Sequence, residues 1–252
     1  MEVVYFFIAQ WYLSLFFQSF FHHRYSAHRI CTMSPFWEKM FFIGSWLTQG
    51  SSYISAYAYG IMHRMHHVHT DTVKDPHTPV TSSNVFMLMW NTKIEYNHIF
   101  FERIEIEDKY RKQLPQWESF EKIAHNWVTR FVWIGLYTAF WAYFATEWWH
   151  WIFLPMTIII GSLQGAMINY FAHKIGYRNF PLDNTSMNLI PFFDIFFWGE
   201  AYHNNHHKYA GRPNHAIRWF EWDPMYTAML VMDFLGIIKL KRKFNPEKAA
   251  IF

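Results

Sequence analysis

The chain has 252 residues, 22 Lys and Arg against 19 Asp and Glu, a net charge of +3 and one cysteine, Cys31. One cysteine excludes an internal disulfide framework and any metal site of CxxC pairs, and Cys31 reads as a small packing residue. The basic residues are spread rather than striped, which excludes a nucleic-acid module and makes nucleic acid no partner. There is no internal repeat, Gly-rich nucleotide loop, or haem or flavin motif. Aromatics are 22% of the chain. Trp and Tyr score as polar yet settle at membrane interfaces, so a mean hydropathy near zero understates the apolar character.

All 22 basic residues lie in 24–130 or 174–248, leaving 1–23 and 131–173 without positive charge. A crossing helix needs about 20 residues, so these windows read as one span and a pair of spans. The first, Val3 to Phe21, lacks the basic start and A-x-A site of a signal peptide and reads as a spanning helix. Phe36 to Tyr59 is also apolar but too short to cross twice; with Gly44, Gly50, Ser51, Ser52, Ser55 and Gly60 it is expected to dip in or lie along the interface.

Residues 91–125 mix charge and aromatics at helical spacing, as amphipathic helices over a site. Trp127–Ala145 and Trp151–Phe171 are the paired spans, joined by the Trp-rich Glu147-Trp148-Trp149-His150-Trp151. Gly161 and Gly165 on the last span read as packing positions. Then come a turn-rich run with Asn179, Pro181, Asp183 and Asn184, and apolar stretches Leu189–Trp198 and Met225–Ile238. Lys239, Lys241, Arg242 and Lys243 follow, read as positive-inside bias rather than a lipid-headgroup site.

The fold class expected is therefore all-α. It is an integral membrane protein with about three spanning helices and a re-entrant or interfacial segment, and a cytosolic helical cap holds the site. Residues 1–252 are read as one domain.

Sixteen histidines are present, and eight fall in three boxes: His23-Arg-Tyr-Ser-Ala-His28, His63-Arg-Met-His66-His67 and His203-Asn-Asn-His206-His207. In HxxHH, positions i, i+3 and i+4 share one helix face. His23 and His28 would diverge by about 140° on an ideal helix, so the winding is expected to loosen there. His22 is the less apt first member of box one. Asn169 and His173, at i and i+4 on the last span, form a fourth element. Nine imidazoles exceed one ion's needs and imply two. Open nitrogen-rich sites suit oxygen-activating iron, whereas structural zinc sites are closed and cysteine-rich.

These boxes, with His69-Thr-Asp71-Thr-Val-Lys-Asp75-Pro76-His77, Asn169 and His173, Asp183 and Asn188, and Gly199-Glu200 before box three, resemble the membrane-bound fatty acyl desaturase family in its stearoyl-type or Δ9-like branch. The likeness runs from about Phe20 to Leu240. It implies one iron held by His23, His28, His63, His67 and His206, and another by His66, His173, His203 and His207, with Asn169 acting through a water. Asp71, Asp75 and Glu200 are candidates to orient imidazoles, while His69 and His77 are second-shell or surface groups. His98, His125, His150 and His215 have no partner evident in the sequence.

The resemblance further implies oxygen-dependent insertion of a cis double bond into a long acyl chain, with two Fe2+ ions as cofactor and O2 as co-substrate. Electrons come from an external donor such as cytochrome b5 or a ferredoxin, with its reductase. Membrane lipid surrounds the chain, and the metal face is cytosolic, at the inner membrane of a bacterium or the endoplasmic reticulum of a eukaryote. Two departures bear on the acyl carrier, which is CoA, a carrier protein or a lipid, with acyl-CoA favoured. Ile61 and Met62 stand where acyl-CoA members carry Arg-Asp before box two, and box three has the HNNHH form of bacterial acyl-lipid enzymes. A di-iron acyl hydroxylase is the rival enzyme and a metal transporter or storage protein the non-enzyme rival, although ionisable ligands of a transporter belong near the bilayer midplane.

Overall fold

The computed structural model describes residues 1–189 and 194–241. Residues 190–193 of the expected apolar stretch Leu189–Trp198, and Arg242 and Lys243 of the basic cluster, lie outside them. Twelve α-helices dominate the described residues, and the one sheet among them is a pair of three-residue strands.

Helix α1, Glu2–Phe17, runs without a break into a π-helix, Gln18–Ala27. Strand β1, Cys31–Met33, leads to α2, Pro35–Gln49, which starts well because Ser34 caps it and Pro35 presets its first turn. At 15 residues, α2 is about 22 Å long, short of the ~30 Å hydrocarbon thickness. It packs on α1 and ends at Gly50, whose φ of 53° turns the chain into a 3₁₀ turn, Gly50–Ser52. Ser55 then caps α3, Ala56–His69, which packs along the π-helix. Helices α4 (Val85–Phe100), α5 (Asp108–Arg111) and α6 (Glu118–Ala124) follow, with α4 and α5 against α3.

Helix α7, Trp127–Phe144, packs on α1 and leaves Val128, Phe131, Val132, Leu136 and Tyr143 exposed, a largely apolar outer face with Thr138 in it. The stretch expected as the last span, Trp151–Phe171, is broken in its middle. A 3₁₀ turn (Trp148–Ile152), α8 (Phe153–Ile158), α9 (Ile160–Ala166) and a π-turn (Met167–Phe171) form a pair bent by 76°. A break inside an apolar element orphans backbone groups, and here serines satisfy them. Ser51 donates to the Ile158 carbonyl at 2.7 Å, and Ser52 Oγ accepts the Gly161 N–H at 2.9 Å. The Gly-Ser-Ser turn after α2 is thus the mate of the break.

Helices α10 (Asp194–Phe197), α11 (His203–Lys208) and α12 (Pro224–Phe234) complete the chain with β2, Ile238–Leu240, antiparallel to β1. This pairing folds the carboxyl end back on box one. Phe20, Phe21, Tyr25, Phe42, Met225 and Met229 form a common core there with the buried Cys31. Among the described residues one helix, Glu2–Ala27, is long and apolar enough to cross a membrane, or two elements are if the bent pair counts as one.

Candidate metal centre

The π-helix settles the geometry of box one. In an i→i+5 ladder, residues five apart stack. The His28 N–H donates to the His23 carbonyl itself at 3.1 Å, so both imidazoles leave one face. His22 points the other way, its ring nitrogens 2.9 Å from the Ile54 carbonyl and 3.2 Å from that of Phe17.

Helices α3 and α11 carry the HxxHH boxes. On each, i and i+4 differ by about 40° while i+3 and i+4 are about 100° apart, so a box splits between two points. His63 and His67 of α3 meet His206 of α11, His23 and His28 in one group of five. His203 and His207 of α11 meet His66 of α3 and His173 in a second group of four.

The facing atoms are Nε2. His28–His63 is 2.9 Å, His63–His67 3.0 Å, His67–His206 2.8 Å and His23–His206 3.0 Å. In the second group, His173–His203 is 2.9 Å, His203–His207 3.0 Å and His66–His207 3.2 Å. Nitrogens about 2.1 Å from one ion at right angles sit ~3.0 Å apart, so the spacing fits coordination shells. Burial, reinforced by the neighbouring rings, holds His63, His66, His67, His203, His206 and His207 well below the usual histidine range. Neutral imidazole is the ligating form. The donor set therefore fits two transition-metal ions.

Carboxylates stand behind the rings. Asp75 accepts from His66 Nδ1 at 2.9 Å, and burial raises this carboxyl. Glu200 Oε2 is 2.6 Å from His23 Nδ1, at an angle outside good hydrogen-bond geometry, and Glu200 also accepts from Ser19 at 2.5 Å. Asp71 accepts the Thr185 hydroxyl at 2.8 Å, and Thr185 Oγ1 lies 3.0 Å from His173 Nδ1. Such contacts fix which nitrogen faces inward. Gly199, with φ 87°, makes the turn that brings Glu200 here; a Cβ would collide with the Asp223 carboxylate and Arg24 Nη2.

Asn169 sits in the second π-turn and is in neither group of facing nitrogens. It lines a cavity of about 40 Å³ with His23, His63, His203, Tyr59 and Glu200, above the ~10–15 Å³ that holds one water. His69 is outside the groups and pairs with the Tyr110 hydroxyl at 3.1 Å. His77 is buried beside His66, ring centroids 4.3 Å apart, and burial pushes it down to about 3.

Several contributors have roles that the sequence does not assign. Asn188 Oδ1 accepts the N–H groups of Asn204 and Asn205 at 2.9 and 3.2 Å, anchoring the start of α11. Asn204 Oδ1 accepts the N–H groups of Asn179 and Phe180 at 3.0 and 2.9 Å, and Asn205 donates to Glu221 and to the His215 carbonyl, each at 2.9 Å. The two asparagines inside box three thus clamp the preceding and following loops, which the Asn-Asn pair itself hints at. His215 packs on His206 at 4.7 Å and on His23 at 5.8 Å, while Arg24 Nη2 pairs with Asp223 at 3.0 Å. Nothing in the spacing signals Thr185 or His215.

A sequence profile described as fatty acid desaturase matches residues 2–222. The chain is similar to the sn-1 stearoyl-lipid 9-desaturase of Synechocystis sp., 27% identical over 90% of this chain and 67% of that protein. It is also similar to acyl-CoA desaturase 1 of Saccharomyces cerevisiae, 26% identical over 90% of this chain and 43% of that protein. A delta-9 desaturase-like 1 protein of Arabidopsis thaliana is 26% identical over 90% of this chain and 75% of its own length.

Proposed function

The chain belongs to the fatty acid desaturase family, in its Δ9-like branch, and from that premise we propose that it inserts a cis double bond into a long acyl chain with O2. The observation that carries this reading is the convergence of nine imidazoles, seven buried and two half-buried, into a five and a four. His23, His28, His63, His67 and His206 would hold one iron, and His66, His173, His203 and His207 the other, with Asn169 contributing through a water in the adjoining cavity. Two bound irons supply oxygen activation and removal of hydrogen from unactivated methylenes.

The balance is fixed by chemistry. Two C–H bonds on adjacent carbons break and a C=C bond forms. The two hydrogens removed, with their two electrons, join two donor electrons and two protons to reduce O2 to two waters. The chain's own residues position and insulate. Asp75, Glu200 and the Asp71–Thr185 pair hold the rings in their inward-facing tautomer. Tyr59, parallel to His63 at 5.5 Å, walls the cavity and excludes bulk water.

We read residues 1–252 as one membrane-embedded domain. Helix α1, α7 and the bent α8–α9 pair are its crossings, and α2 is interfacial or re-entrant. The exposed apolar face of α7 supports this. The positive-inside rule puts the metal face in the cytosol, at the bacterial inner membrane or the endoplasmic reticulum of a eukaryote. Electrons come from cytochrome b5, a ferredoxin or a similar carrier with its reductase. The carrier proposed for the acyl group is CoA. A membrane lipid is the second reading, favoured by Ile61 and Met62: both are buried against α4 and α5 and present no charge to a CoA phosphate.

The test is fatty-acid methyl-ester analysis of a desaturase-deficient host expressing the chain beside a His206→Ala control. The expected result is a new monounsaturated acid that disappears in the control. A hydroxylated product would move the assignment to the hydroxylase. Offering the purified protein stearoyl-CoA or stearoyl glycerolipid separates the two carriers.

A further inference from the structure

Beside the two imidazole groups, a further set of metal-ligating side chains meets in the interior. A nitrogen of His66, an oxygen of Asp75 and a nitrogen of His77 lie within 4.8 Å of one another, and all three residues are buried. His66 presents a nitrogen to each side. Its Nε2 is 3.2 Å from His207 Nε2 in the four-histidine group, and its Nδ1 is 2.9 Å from Asp75. The backbone fixes Asp75, which accepts the Asp71 N–H at 2.9 Å and the His77 N–H at 3.1 Å. His77 is 2% exposed, yet neither of its ring nitrogens has a hydrogen-bond partner among the described residues. Buried polar atoms are nearly always satisfied, so two unpartnered imidazole nitrogens mark a ligand position.

Asp75 and His77 also line a cavity of about 470 Å³ between α3, α4 and α5. Its acids are Asp75, the half-buried Glu95, and the exposed Glu105 and Glu107, against one base, Lys74. Four carboxylates repel the phosphates of an acyl carrier and concentrate cations. The volume is many times the ~10–15 Å³ that holds one water, so a hydrated ion fits. A carboxylate and an imidazole, with water in the remaining positions, suit a divalent transition-metal ion held loosely. A buried metal group needs an entry path, and three of the four histidines in the second group are buried.

We propose that Asp75 and His77 form a third divalent-cation site, through which Fe2+ enters the four-histidine group from the acidic cavity. The inference rests on the reading of the nine histidines as a two-ion centre. The site is weaker than either group because it offers two protein ligands rather than four or five. The His66 ring joins the two sides, touching Asp75 with one nitrogen and the inner group with the other. Entry is an exchange of ligands: imidazoles replace water on the ion, the water returns to the cavity, and no electron moves.

The test uses the whole chain in nanodiscs, stripped of metal, with Fe2+ itself as the probe and uptake followed by stopped-flow competition with a coloured chelator. His77→Gln removes the imidazole and keeps a polar side chain; Asp75 is left intact because it also holds His66. Loading of one iron is expected to slow about tenfold or more, with the other unchanged and the final content still two per chain. Should that variant fail to fold, Glu95→Gln/Glu105→Gln at the cavity is expected to slow the same iron, more at low salt than at high. Glu2→Gln/Glu118→Gln, exposed and away from the cavity, should leave both rates alone. In a chain loaded with two Zn2+, which Mn2+ does not displace from nitrogen ligands, one further Mn2+ is expected by EPR and is lost in His77→Gln. Equal Mn2+ binding with and without the imidazole overturns the proposal, as do unchanged loading rates in both cavity variants. Equal slowing of both irons, or a reduced final content, overturns it too, since His77 would then be a structural support. A wild-type chain that never takes up two ions sinks the two-ion reading itself. Two ions loaded at the wild-type rate without His77 sink the entry site alone.

Discussion

The two imidazole groups are assembled from the same parts in mirrored proportion. The group of five takes the i and i+4 histidines of α3 and the i+3 histidine of α11; the group of four takes the i and i+4 histidines of α11 and the i+3 histidine of α3. Each is completed by a π-wound or just-past-π element, His23 and His28 for one and His173 for the other. The second group has no fifth imidazole, and Asn169, on that second π-turn, borders the cavity between the groups. Under the proposed assignment the two ions would differ accordingly: five imidazoles would hold one, and four with a water on Asn169 the other.

The largest effect that can break this comparison is loss of a ligand. His206→Ala should abolish alkene formation and lower bound iron from two per chain to about one. Two irons retained in that variant would dissociate His206 from the metal. Next come the residues behind the rings. Glu200→Gln should weaken metal in the five-histidine group and Asp75→Asn in the other, each by about 10–100-fold. A chelator titration reads this, and equal effects of both changes on both sites would erase the distinction. Asn188→Ala removes the acceptor for two buried N–H groups at the start of α11, which feeds both groups. It should cost roughly 1–3 kcal/mol in thermal unfolding and depress both sites together.

The smallest expected effect touches neither group directly. Glu121 lies beside Ser55, Ala56 and Tyr53 at the amino end of α3, and burial raises its carboxyl to about 7 from 4.5. A carboxyl raised on folding contributes stability below about 4.5 that is lost as pH rises through about 7. The span amounts to roughly 3 kcal/mol. Glu121→Gln should therefore flatten that part of the pH–stability curve in thermal melts from pH 5 to 8. An unchanged slope would mean that Glu121 ionises freely.

What the sequence made legible was periodicity. The HxxHH spacing requires a shared helix face, and the structure brings together the imidazoles that spacing and family resemblance singled out. The loosened winding at His23–His28 was legible too, because five residues do not fit an α-turn. The bend at Ile159 was not. Its 151–171 stretch carries no charge to mark a break, and the serines that permit the break lie more than 100 residues away, at Ser51 and Ser52. The parts played by Asn188, Thr185 and His215 escaped for a related reason: each acts on a ring or backbone brought near only by the fold. Hydropathy was also a weak guide to α7, since Trp and Tyr lower its score while its outer face is largely apolar.

The most direct test of the central claim is metal analysis of the purified, iron-reconstituted chain together with iron X-ray absorption. The account predicts two irons per chain in an all nitrogen-and-oxygen shell, nitrogen-dominated and free of sulfur, with iron–nitrogen distances of about 2.1 Å. A single iron per chain, or tight zinc that iron cannot replace, would contradict it.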